Sequence, residues 1–304
     1  MSLIMPHPRS LDTRPERAFD TYRFYLKCFS DYLQSEYGNW EAFGQCCIKQ
    51  TEKLKPRDPF DKSWVERWMK ISWNTEYLMT VGGKDPELMR INNQWTPIQG
   101  YYAIYSASEA TAYVLDGTKA NSHKGALKQI TNYLMSRNLS PWDKAFQGAR
   151  GRSRNEHQPV NFPPNTTFPS NLTRVNVEPL EMIGTCLKAE HSNRIDDSDR
   201  NETGQYKHEF NPGYTGIFHF LYRLRLKSNY KDVEIFITEA PESDINDFTS
   251  SLYRCCCWSL MLLETILIRK CRKQYLLDLA QKYLVLNSKA ENLRRRVKYY
   301  KANI

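Results

Sequence analysis

Apolar residues recur three and four positions apart along most of this chain, the spacing that puts them on one face of a helix. The clearest case lies in residues 216–237, where Ile217, Phe220, Leu221 and Leu224 form one apolar stripe. Arg223, Lys227 and Tyr230 fall on one flank of that stripe, and Arg225 and Asn229, four apart, on the other. An arginine held beside a packed stripe loses little freedom on meeting a phosphate, and its planar fork suits that anion.

The same spacing predicts helices over 15–37 and over 40–53, the second capped by Asn39. A third covers 62–79, with Trp64, Trp68, Ile71 and Trp73 on its buried side and Gly82 and Gly83 after it. The next, 96–116, has sharp limits: Thr96 as N-cap, Pro97 at the first helical position and Gly117 just past the end. Its Ala103, Ala107 and Ala110 make a narrow seam that lets another helix approach closely, and the 216–229 helix is the expected partner. Asn121 or Ser122 starts a helix that makes an antiparallel hairpin with the one before it. Residues 138–175 hold five prolines and no period, which reads as loop, and a helix over 179–190 is expected before a second exposed loop. Ser243 caps a long helix to about 270, and a last basic helix covers 272–300. Only Val-Glu-Ile-Phe-Ile-Thr-Glu, 233–239, is a candidate strand, so the expected fold class is all-α.

At 304 residues and 40% hydrophobic content the chain can bury one large core or two small ones. Of its eight cysteines, Cys46 and Cys47 are adjacent and Cys255, Cys256 and Cys257 consecutive, which suits neither a disulfide framework nor a zinc site. They read as small apolar residues in a reducing cytoplasm. The most apolar run, 255–268, is interrupted by Glu264 and falls short of the roughly 18 residues that span a bilayer, so no membrane association is expected. The charge is uneven: from 269 onward eleven Lys and Arg face only Asp278 and Glu291, an excess equal to the whole net charge of +9. Such a tail attracts polyanions, RNA or DNA rather than membrane, with Arg294, Arg295, Arg296 and Lys298 as candidate contacts. Arg223 and Lys227 are the candidates on the central helix.

Several chemistries have no footing. The chain contains no GxxxxGK[ST], no GxGxxG after a strand, no HExxH, no CxxC and no GxSxG, and its six histidines show no ligand spacing. No cofactor and no metal is therefore expected. Arg152 and His157 make a literal Arg-x(4)-His, but inside an arginine-rich loop rather than after an apolar helical stripe.

What rises above this background is an order of segments: YYAIYSASEATAYVLDG, SHKGALKQITNYL, LYRLRLKSNYKDV and the capped helix SDINDFTSSLYRCCCWSLMLLETIL. This succession resembles the HEPN superfamily of small all-α domains, over about 95–138 and 213–270, roughly a third of the chain. The resemblance implies a helical bundle of HEPN type (93–138 and 210–270), with an N-terminal helical region (1–92), a loop-rich insertion (139–209) and a basic C-terminal helix (271–304). It further implies a metal-independent endoribonuclease of toxin-antitoxin or antiviral defence systems, or a catalytically inactive RNA-binding or regulatory relative. Such proteins commonly form a homodimer with the site between protomers, and some pair with a nucleotidyltransferase antitoxin. In active members an Arg-x(4 to 6)-His motif stabilises charge on the phosphorane and moves protons. By that pattern Arg225, Asn229 and Tyr230 are the candidate catalytic residues, with tyrosine in the place of the histidine. A tyrosine, with a reference pKa of about 10, is a poor base at neutral pH. His123 is a further candidate for proton transfer.

Overall fold

The computed structural model describes residues 15–120, 122–136, 214–231, 233–237 and 240–304, together with Ile183, Gly184, Cys186, Leu187, Ala189, Glu190, His191, Asn193 and Arg194. The Arg152 and His157 pair and most of the insertion lie outside these residues. Among the described residues there is helix and no strand. The helices are α1 (Pro15–Tyr37), α2 (Trp40–Thr51), α3 (Lys62–Gly82), α4 (Pro86–Asn92), α5 (Thr96–Asp116), α6 (His123–Ser136), α7 (Ile217–Leu226), α8 (Val233–Ile237), α9 (Glu242–Cys271), α10 (Lys273–Leu286) and α11 (Glu291–Asn303).

Local chemistry sets most of these limits. Asn39 caps α2 by accepting from the Ala42 amide at 2.8 Å, and Asp61 caps α3 by accepting from Trp64 at 3.1 Å. Ser122 caps α6 by accepting from the Gly125 amide at 3.1 Å. Gly117 ends α5 at a φ of 91°, and a Cβ there would also meet the Arg57 guanidinium. Thr96 departs from its expected role: its hydroxyl donates to the Asn92 carbonyl at 2.9 Å instead of capping α5. Asp85 and Pro86 start α4, a helix the hydrophobic spacing alone does not show because only Met89 is buried on it.

Helices α5 and α9 form the centre. Nearly every side chain of α5 is buried, and α9 is buried over most of its length, as befits helices enclosed on all sides. Helix α9 packs on α5, α1, α2 and α10, while α3, α6 and α7 pack on α5. Among the described residues α9 is the one helix long and apolar enough to cross a membrane by composition, yet 83% of its most apolar window is buried inside the protein. The candidate strand is the short helix α8, whose Phe236 stacks on Tyr22 of α1 at 5.8 Å. Phe236 also meets Phe19 edge-on at 6.0 Å, so its packing on α1 decides its conformation.

The expected partner of the alanine seam needs correction. Ser72 of α3 donates to the Ala103 carbonyl at 2.7 Å, so α3 lies against the seam, whereas α7 meets α5 through tyrosines. The basic C-terminal segment is likewise not one helix. It breaks at Asn287 and folds back as α10 and α11, and α11 buries Leu293, Val297, Tyr299 and Tyr300. One apolar cluster includes Phe29, Trp73, Ala107, Leu224, Leu263 and Tyr300, so α1, α3 and the C-terminal segment share a core with the middle of the chain.

Candidate functional site

Three elements bring one polar, aromatic cluster together. The first turns of α5 place Tyr101 and Tyr105 on one face, four apart, with their rings stacked at 5.6 Å, and Tyr102 beside them. The first residue of α6 is His123, fixed there by the Ser122 cap, and its ring lies 4.2 Å from that of Tyr105. Helix α7, anchored by its buried stripe of Ile217, Phe220, Leu221 and Leu224, contributes Tyr222 and Arg225.

Arg225 donates through Nη2 to the Tyr102 hydroxyl at 3.0 Å, and its guanidinium carbon lies 5.2 Å from the Tyr102 ring centre. It lies 5.8 Å from the rings of Tyr101 and Tyr230. Arginine is held well over such ring faces by their quadrupole. Its Nε is buried and has no hydrogen-bond partner among the described residues, and no carboxylate of those residues pairs with Arg225. His123 Nδ1 and the Tyr101 hydroxyl are 2.8 Å apart, while Nε2 bonds none of the described residues. Behind them Tyr105 donates to Glu109 Oε1 at 2.6 Å.

The charge states follow from this setting. Burial, and then the positive Arg225, push the His123 pKa below its usual value, so the ring is neutral at pH 7. Burial raises the phenols of Tyr101 and Tyr105 above their ordinary range, and burial also raises the Glu109 carboxyl. A fixed cation, a neutral imidazole and protonated phenols thus gather around one place. That combination can bind a phosphate oxygen and exchange a proton beside it.

The sequence-based expectation for Tyr230 placed it with Arg223 and Lys227, opposite Arg225. In a continuous α-helix residue i+5 would indeed be about 140° round, at 100° per residue. Residues Lys227–Lys231 instead form a π-helical turn, whose i to i+5 bonding returns Tyr230 to the Arg225 side. Tyr230 is 66% exposed, and Asn229 is half-buried on the same turn.

The other expected contacts divide. Arg223 is buried and pairs with Glu190 at 3.2 Å, and Lys227 is 1% exposed, so neither faces a nucleic acid. Their flank of α7 is covered by helical residues that include Glu190, His191 and Arg194, so helix extends past 190, where the sequence predicts exposed loop. Arg296 is also buried, held between Glu76 and Glu264, and leaves the set of contacts. Arg294, Arg295 and Lys298 remain on the surface of α11. Tyr101, Tyr102, Tyr105 and Tyr222 were missed as site residues. Their aromatic spacing reads equally well as core, and only the approach of Arg225 and His123 sets them apart.

Among the described residues no three His, Cys, Asp or Glu side chains gather as a metal site would require. No family model, no curated protein and no solved structure matches this chain. The class that can be stated is an all-α protein, built on α5 and α9, with a tyrosine-lined arginine and histidine pair where α5, α6 and α7 meet.

Proposed function

We propose that this chain is a HEPN-like protein that binds RNA at the Arg225 cluster and cleaves it without a metal ion. The observation that carries the reading is that His123, from another helix, stands beside Arg225 on the same tyrosines. It supplies the imidazole that the Arg225 to Tyr230 spacing lacks. In this reaction Arg225 holds the non-bridging oxygens of the scissile phosphate as charge develops on them. His123 Nε2 takes the proton of the attacking 2′-hydroxyl while Nδ1–H donates to Tyr101. The exposed Tyr230 hydroxyl gives its proton to the leaving 5′-oxygen and regains one from solvent, to which His123 returns the proton it took, and Asn229 orients the substrate. The products are a 2′,3′-cyclic phosphate and a 5′-hydroxyl.

On this reading the protein works in the cytoplasm, as a homodimer, in a toxin-antitoxin or antiviral defence setting with a nucleotidyltransferase as protein partner. Incubation of the pure protein with mixed RNA in EDTA tests the chemistry. Cleavage that disappears in both Arg225→Ala and His123→Gln supports the nuclease. RNA binding that depends on Arg225 without any cleavage assigns the chain to the inactive, RNA-binding branch. RNA binding and cleavage both unaffected by either substitution would place function elsewhere.

A further inference from the structure

A cavity of about 340 Å³ lies between the start of α2, the middle of α9 and α11, and shares no lining residue with the Arg225 cluster. Its walls are planar and apolar: Trp40, Trp258 and Tyr253 line it. Three arginines line it as well: Arg296, which Glu76 and Glu264 neutralise, and Arg254 and Arg295. Arg295 lies 5.1 Å from the Trp40 ring centre, and Arg254 donates to the Ser30 hydroxyl at 2.8 Å. Neither Arg254 nor Arg295 has a carboxylate partner among the described residues. The nearby Glu76 is taken up by Arg296, through two contacts at 2.6 and 2.7 Å, so it does not neutralise them. The Asn292 amide, also on the wall, donates to Thr80 at 3.3 Å and keeps its oxygen available.

Aromatic faces beside two uncompensated guanidinium groups select a ligand that is itself part flat ring and part anion. The volume sets the size. Small-molecule sites run from about 300 to 1,000 Å³, so this one, at the lower end, holds a single nucleotide and not an oligomer. We infer that this cavity binds a nucleoside 5′-monophosphate, its base against Trp40 or Trp258 and its phosphate held by Arg254 and Arg295. Asn292 supplies the polar contact to the base edge or ribose.

Isothermal titration of the full chain with adenosine and uridine 5′-monophosphate, and with adenosine and inorganic phosphate alone, tests this. At least one monophosphate should bind about tenfold or more tightly than either fragment, a gap of about 1.4 kcal/mol. Arg254→Gln and Arg295→Gln should each weaken it about tenfold or more with the melting curve unchanged, since Arg295 is exposed and Arg254 bonds one hydroxyl only. Arg225→Ala should leave this binding as it is, which separates the site from the RNA reading. The absence of heat for both monophosphates up to millimolar concentration, or equal binding by wild type and the Arg254 and Arg295 variants, would overturn it.

Discussion

Arg296 grips Glu76 through both terminal nitrogens, at 2.6 and 2.7 Å, in the buried centre of the protein. The same guanidinium reaches Glu264 through Nε at 2.8 Å, and Glu264 also accepts from Trp73 and Tyr300, each at 2.8 Å. These bonds tie α11 to α3 and α9. Replacing Arg296 with Met leaves two buried carboxylates facing each other without their cation. The cost should be about 3 to 5 kcal/mol, a large share of a domain's stability, read as a lower urea midpoint. A midpoint equal to wild type would mean that water reaches the carboxylates. By the same logic, truncation before Arg294 should unfold the protein rather than only weaken RNA binding.

Acid should destabilise the fold before it protonates ordinary carboxylates. Burial, then Arg194 and His191, hold the His219 pKa well below its usual value, and His123 is lowered by burial and Arg225. Both histidines take up protons more readily unfolded than folded, so stability is full above the unfolded value of about 6.5 and falls as pH drops below it. His219 Nδ1 also accepts from the Gly216 amide at 3.2 Å at the start of α7, an acceptor that protonation removes. Melting temperature should therefore decline from pH 7 to pH 5, and His219→Gln should flatten the decline. An equal slope in the variant would show that other groups carry it.

The elements with strong local signals were legible in the sequence. The α2 start with its Asn39 cap, Gly117 and the Ser122 cap all rest on one residue and its immediate neighbours, and the structure has them. What could not be read were choices made by distant contacts. The 233–237 segment is as apolar as a strand, and its packing on Phe19 and Tyr22 decides otherwise. Arg296 looks like its neighbours Arg294 and Arg295 in a basic run, and only Glu76 and Glu264, from other helices, distinguish it. The same holds for the cluster at Arg225. The arginine stood out beside its stripe, but its association with Tyr102 depends on how α7 lies on α5, and the place of Tyr230 on a π-helical turn.

With Arg296 withdrawn, the polyanion-attracting face of α11 reduces to Arg294, Arg295 and Lys298, all exposed. Arg294 is partly engaged with Glu291 at 3.5 Å, whereas Lys298 has no ion pair among the described residues. The double substitution of Arg294 and Lys298 by Ala should leave the melting curve within about 1 kcal/mol, because surface pairs are worth little. It should lower the slope of log affinity for RNA against log salt by about 2 if both side chains touch phosphates. An unaltered slope would remove the C-terminal segment from the RNA-binding surface.

The decisive substitutions are at Arg225 and His123. Arg225→Ala loses one hydrogen bond to Tyr102 and three ring contacts at the edge of the core, so its stability cost should stay near 1 to 2 kcal/mol. Its effect on RNA cleavage should be about 100-fold or more, because a group that meets the developing charge matters chiefly in the transition state. Arg225→Lys should rescue poorly: an ammonium cannot bond Tyr102 and present a planar fork to the phosphate at once. His123→Gln keeps a polar partner for Tyr101 but cannot take a proton, so it should retain RNA affinity and lose about 100-fold or more in rate. In wild type the rate should fall as pH drops through the depressed pKa of His123, and that acid limb should vanish in His123→Gln. If His123→Gln cleaves at the wild-type rate with the same acid limb, the imidazole that stands beside Arg225 is a packing residue and the proton is carried by another group.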